Sequence, residues 1–402
     1  RAGLISTVRS AWGKHQLELG GWLEHNRSSA YRRWYQLDVN QPITPYDKPV
    51  NPVITQYGSE IDNHVVQLHA QDDWRAMDGL TVQAGFKSSL QFADGQFPVQ
   101  PEPGAISGGS TALPVGEIIT KAWFLPQFGV IWDLPSKDQA FVNIQRNLRQ
   151  FVTYGAVGPS PWSLSSQSAF ELFKNTAKPE TSNTYEMGIR GRRLFNSGLL
   201  SAIDAQLSLY HVDFNNRLLQ ISPTPVISSI VNGNPILANV GSVKTNGIDI
   251  AATLRFGRKY SLYNALSYND STYANDYTNG KVVVPTAGKL VPGSPSWLNK
   301  FSANANWDGL EAQLMGDYVG RRYATYTNDL SVPSYFLLGL SLNGKLPLAT
   351  NNLLHEARLS LNVSNLANRK GISTLVVGAA SGTYNSFPIA PRQVFLTLAV
   401  NF

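Results

Sequence analysis

Between residues 27 and 36 the chain reads RSSAYRRWYQ, which gathers Arg27, Tyr31, Arg32, Arg33, Trp34 and Tyr35 in one short run. Guanidinium groups present a planar fork of donors that matches anionic oxygens, and aromatic rings offer faces for flat groups and cations. A run with both suits capture of an anion that carries an aromatic part. A second run, NIQRNLRQF, puts Asn143, Gln145, Asn147 and Arg149 on one face of an extended chain. It leads into a connection holding Tyr154, so Arg149 and Tyr154 could meet a ligand from above while Asn143 bonds to a neighbouring segment. The same residues would also serve to cap an exposed rim, to hold lipid phosphate or to satisfy water, and their types leave these readings open.

Bond-making chemistry finds less support. The six His are scattered, and no HExxH, CxxC, GxSxG or P-loop pattern occurs. His64 and His69 lie five apart, hence on opposite faces of a regular strand, and would make a poor metal pair. Asp72 and Asp73 are adjacent and would likewise point apart, which does not suit shared acid–base work. There is no Cys, which removes disulfides, thiolate metal sites and cysteine nucleophiles together. A membrane-embedded hydrolase would need a Ser or Asp with a His at matching depth on neighbouring strands, and no such set is visible. The expectation is therefore no enzyme activity, no resident cofactor and no metal centre.

The elements that must position these residues are legible in the totals and the periodicity. The 402 residues are 43% hydrophobic but only 15% charged, where about a quarter charged is usual for a soluble domain. Something other than water is expected to face part of the surface. A formal charge of +6 is a mild bias toward anionic partners, too weak to argue for nucleic acid. No run approaches the roughly 18 apolar residues of a membrane helix. Arg1 opens directly into strand-like sequence, so the chain is expected to be a piece of something longer.

What recurs is alternation. Val82, Ala84 and Phe86 alternate with Gln83 and Lys87; Tyr185, Met187 and Ile189 with Glu186 and Arg190; Ile203, Ala205, Leu207 and Leu209 with Asp204, Gln206 and Ser208. The same holds for Phe301 to Trp307 and for Arg358 to Ser364. A soluble sandwich would also alternate, with its apolar side inward. The connections decide between the two. Tight turns at Gly13-Lys14-His15, Met77-Asp78-Gly79, Pro135-Ser136-Lys137, Phe195-Asn196-Ser197, Gly257-Arg258-Lys259 and Asp308-Gly309 take turns with long connections near 27–60, 90–117, 150–180, 220–236, 273–296 and 365–390. Strict short–long sorting is the mark of an outer-membrane barrel with short periplasmic turns and long external loops. The expected fold is all-β, a transmembrane antiparallel up-and-down β-barrel contributing about 15 strands. Trp12, Trp22, Trp74, Trp132, Trp297 and Trp307 fall near expected strand ends, where an interfacial girdle would sit. The final PRQVFLTLAVNF ends on Phe402, whose ring needs no cap if it faces lipid and whose strand needs no free edge if it pairs with the first strand of a closed barrel.

Four segments in order, KPETSNTYEMGIRG (178–191), NVGSVKTNGIDIAATLRF (239–256), LSLNVSNLANRK (359–370) and the closing PRQVFLTLAVNF, resemble the barrel signatures of TonB-dependent outer-membrane receptors. The resemblance covers essentially the whole chain. It implies a barrel of about 22 strands filled by an N-terminal plug domain, located in the bacterial outer membrane, with Phe402 as the C-terminal barrel signal. It also implies uptake of a ferric siderophore or similar small ligand, energised by the TonB complex, in contact with outer-membrane lipid and lipopolysaccharide and with no nucleic acid. No TonB box or plug is found, and roughly seven strands are lacking. Residues 1–402 are therefore expected to be a partial barrel, with plug and first strands outside the chain. A passive porin-like channel, or TonB-dependent uptake of cobalamin, haem, a nickel chelate or an oligosaccharide, would fit the same residues.

Overall fold

The computed structural model describes residues 1–36, 40, 51–100, 113–135, 137–153, 160–164, 166–221, 236–239, 241–279, 282–346, 356–376 and 384–401. Its main sheet has 15 strands, each hydrogen-bonded antiparallel to the next along the chain. They are β1 (Ala2–Trp12), β2 (His15–Trp34), β3 (Ile54–Met77), β4 (Leu80–Val99), β5 (Gly116–Asp133), β6 (Gln139–Arg149), β7 (Glu180–Leu194) and β8 (Ala202–Asn215). The sheet continues with β9 (Val243–Phe256), β10 (Tyr260–Tyr273), β11 (Trp297–Trp307), β12 (Leu310–Val319), β13 (Tyr335–Lys345), β14 (Glu356–Ser364) and β15 (Gln393–Asn401). Both the strand count and the up-and-down order match the sequence expectation. Among the described residues β1 and β15 pair on one side only, so the sheet is not closed on itself.

Register turns alternation into two chemically distinct faces. Ile189, Leu207, Ile250 and Leu266 stand directly opposite one another across β7 to β10, and Val142, Met187, Leu209 and Ile248 form the next row. All of these but the half-buried Leu266 are exposed, Met187 at 55%, and the band runs on to Leu396 on β15 at 68%. Such a band of exposed apolar side chains would be a liability in water. The opposite face is a hydrogen-bonded mat. Gln127 on β5 donates to Gln71 on β3 at 2.6 Å, across the intervening β4. It can do so because Gly85, between them in the same row, has no side chain. Gln71 and Gln83 both donate to Asp73, and Lys87 reaches Asn147.

The short ends are turns of the expected kind. Asp78-Gly79 and Asp308-Gly309 join their strands with two residues, and the two glycines sit at φ 75° and 86°, where a side chain would be strained. At this end His15 stacks on Trp74, and Tyr260 meets Trp307 edge to face. Trp22 does not join them: it lies in mid-strand on the polar face, opposite Ile5.

Two features depart from the sequence expectation. The connections expected at 27–60 and 90–117 shrink to 35–53 and 100–115, because β2 to β5 run on as paired strands well past the apolar band. Outside that band neither face must be apolar, so the alternation that marks strands disappears while the backbone ladder continues. The connection 150–179 holds a helix, α1 (Gln167–Thr176), and a short 3-10 turn at Pro161–Ser163. Ser166 caps α1 by accepting from the Ala169 amide at 3.2 Å.

Candidate functional site

The run at 27–35 is split by its own strand. Arg32 and Trp34 fall on the polar face, where the Arg32 guanidinium lies 5.7 Å from the Trp34 ring centroid. Trp34 donates its indole N–H to Gln56 at 3.0 Å, and Arg32 stands directly opposite Tyr57 on β3. Burial raises the Tyr57 phenol above its ordinary range, and the Arg32 charge acts in the opposite direction. Arg27, Tyr31 and Arg33 point the other way. Arg27 pairs with Glu60 at 2.6 Å, Tyr31 lies over Gly58, and Arg33 sits 4.6 Å above the Tyr31 ring. Tyr35 follows the strand end and is half-buried.

Arg149 ends β6 on the polar face, exposed, with Glu180 at 3.9 Å. Tyr154 and Phe402 lie outside the described residues. Between the Arg32 and Arg149 positions stands a packed core that the sequence reading did not anticipate. Trp162 and Phe170 are fully buried against Ile61, Ala93, Phe97 and Ile118, with Phe151, Leu164 and Phe173 completing the cluster. These strand residues share the polar-face register of Asn63 and Gln71. The helix therefore covers that face at the end bearing the long connections. The Trp162 indole donates to the Gly116 carbonyl at 3.1 Å and seats over Gly95. Tyr57 packs on the edge of this core, edge-on to Phe97. Arg32 and Arg149 thus flank one rigid wall.

A second wall forms from other connections. Val243, Tyr273, Tyr277, Val284 and Tyr326 make a buried cluster, with the Tyr326 phenol pushed up to about 12 by burial. Arg322 ties this wall to the last long connection by donating to the Ser373 and Ile372 carbonyls. Sequence spacing could not rank these tyrosines, because their partners come from strands far apart in the chain. The available signals were the Phe170–Phe173 spacing after a Ser cap and the Pro161-Trp162 turn.

Deeper on the polar face the charges are mutually engaged. Arg9 and His69 share Glu18 at 2.6 and 3.1 Å. Arg192 and Arg255 share Asp204, and Arg190 donates to Gln139. Among the described residues no group of three or more His, Asp or Glu converges as a metal site.

Residues 4–366 match the family model described as TonB dependent receptor-like, beta-barrel. The chain belongs to this family. The ferrioxamine receptor of Yersinia enterocolitica is 26% identical over 233 residues, 56% of this chain and 28% of that protein. The ferric yersiniabactin uptake receptor FyuA from Yersinia pestis superposes with a TM-score of 0.65 at 17% identity, covering 100% of this chain and 53% of that one. The siderophore receptor PiuA from Acinetobacter baumannii gives a TM-score of 0.67 at 13% identity, covering 98% and 55%. This TonB-dependent receptor barrel thus spans about half the length of the receptor structures it resembles. It is an outer-membrane protein. Its apolar band faces lipid, its polar mat faces the lumen, and its long connections and α1 lie outside the cell. Arg32, Trp34 and Arg149 accordingly face the mouth of the lumen, and Arg27, Tyr31 and Arg33 face outward.

Proposed function

We propose that this barrel captures a ferric siderophore at its external mouth, and that the whole receptor imports it with energy transmitted by TonB. The observation that carries the reading is Arg32, a cation held on the lumen side of the mouth between Trp34 and Tyr57. A guanidinium flanked by two aromatic rings suits a flat, anionic chelate: charge-assisted bonds to the chelate oxygens set orientation, and the rings contribute stacking area. The fixed core beneath it gives the ligand a floor that does not have to be ordered on binding. No covalent step is involved, and no enzyme activity is proposed. Below the mouth, the amide and hydroxyl lining of β3 to β8 offers replaceable hydrogen bonds along a polar path.

The test is tryptophan fluorescence of the whole receptor in outer membrane. It is titrated with ferric hydroxamates and catecholates and with the iron-free chelators as controls. Saturable, iron-dependent quenching is expected. Arg32→Ala should weaken it about tenfold, the worth of a charged hydrogen bond. Arg33→Ala, on the opposite face, should leave it within about twofold of the parent. No saturable response to any ferric chelate, with steady conductance in planar bilayers, would replace this reading with a passive channel.

A further inference from the structure

We propose that His25 and His64 form a site for one divalent transition-metal ion, of the zinc, copper or nickel class, at the external rim of the lipid-facing surface. The two residues stand directly opposite each other on β2 and β3, with ring centroids 4.6 Å apart and planes at 32°. Opposed residues in an antiparallel pair hold their Cβ atoms about 4.5–5.5 Å apart. From that spacing two imidazoles can converge on one ion at about 2.0–2.1 Å per metal–nitrogen bond. His15, His69 and His211 each engage a carboxylate. His25 and His64 are exposed, and among the described residues their ring nitrogens have no hydrogen-bond or ion-pair partner.

The surroundings favour a cation over lipid phosphate. The next row toward the outside sets Arg27, Asp62, Asp94 and Glu117 side by side across four strands. Arg27 is already bound to Glu60. Against those four carboxylates, counting Glu60, the described residues of these rows set only Arg27 and Lys121, the latter over the Phe92 ring beside His64. The row on the other side is apolar at Leu23, Val66 and Leu90 and ends on Lys121 of β5. Ten residues separate His64 from the Trp74 girdle on the same strand and face. That is roughly 33 Å along a strand and about 25 Å of membrane height once tilted, the full apolar band. The pair therefore sits where hydrocarbon gives way to water, reachable by an ion from outside the cell. Two imidazoles suit zinc, copper or nickel rather than calcium or magnesium, with water filling the remaining positions. Binding would clip β2 to β3 at the rim, on the surface opposite the lumen-facing Arg32.

The test uses the untagged receptor, purified from outer membrane in detergent and stripped with chelator. Calorimetric titration with Zn2+ at neutral pH should show one saturable site. His25→Asn and His64→Asn should each weaken it tenfold or more, whereas His69→Asn, on the lumen face, should leave it unchanged. Both imidazoles are exposed, so the substitutions should not move the urea midpoint of the metal-free protein. On the unsubstituted protein, Cu2+ electron paramagnetic resonance should show two nitrogen ligands, which decides the matter even if a variant fails to fold. No saturable Zn2+ site, unchanged affinity in His25→Asn and His64→Asn, or a copper spectrum without nitrogen coupling would overturn the proposal.

Discussion

Trp162→Ala is expected to release the external connection between β6 and β7. The indole is fully buried, donates to the Gly116 carbonyl at 3.1 Å and is packed on Phe170, which is also fully buried. Truncating a buried Trp removes its transfer free energy and leaves a cavity, together about 3–5 kcal/mol. A ten-residue helix has almost no stability of its own in water, so α1 depends on this packing. The measurement is limited trypsin digestion of the receptor in intact outer membrane. Lys174 lies in the last turn of α1. A drop of that size in local opening free energy should speed cleavage after Lys174 on the order of 10²–10⁴-fold when reclosing outpaces cutting. Gly95→Ala should act in the same direction, because its Cβ would run into the Trp162 indole. Equal cleavage rates in parent and Trp162→Ala would show that the wall is not held by this residue.

Leu207→Arg and Gln206→Arg are expected to differ sharply although the residues are neighbours. Leu207 stands in the apolar row with Ile189, Ile250 and Leu266; Gln206 is exposed on the polar face beside Arg190. An arginine on the lipid face near the bilayer midplane costs about 2–4 kcal/mol, whereas lumen positions tolerate charge. Refolding into phospholipid vesicles against urea should place the midpoint of Leu207→Arg well below that of the parent and leave Gln206→Arg close to it. The assignment of faces fails if Gln206→Arg is the more damaging of the two.

The run at 27–35 shows how far a sequence reading of the site reaches. Its six residues share the donor and ring chemistry expected of a capture site, but a strand sends neighbours to opposite faces, and only the pairing of β2 with β3 tells which. That pairing put Arg32 and Trp34 toward the mouth with Tyr57 and Gln56, and it turned Arg27 and Arg33 outward. It also brought His25 to His64, a contact hidden in a chain where those residues are 39 positions apart. His64 and His69 had been the only visible pair, and they do point to opposite faces.

What the sequence by itself determined is the sheet: two-residue alternation within the membrane band, turn residues at one end, long connections at the other, and hence the order and number of 15 strands. Lipid on one side and a polar lumen on the other force that alternation, so it is written locally at every second residue. The tertiary structure alone decided where strands continue beyond the membrane, how α1 and Trp162 close over the polar face, and which side chains share a row. Those depend on pairing between residues tens of positions apart. Outside the bilayer no single solvent imposes a period on the chain, so burial there is set by which segments meet.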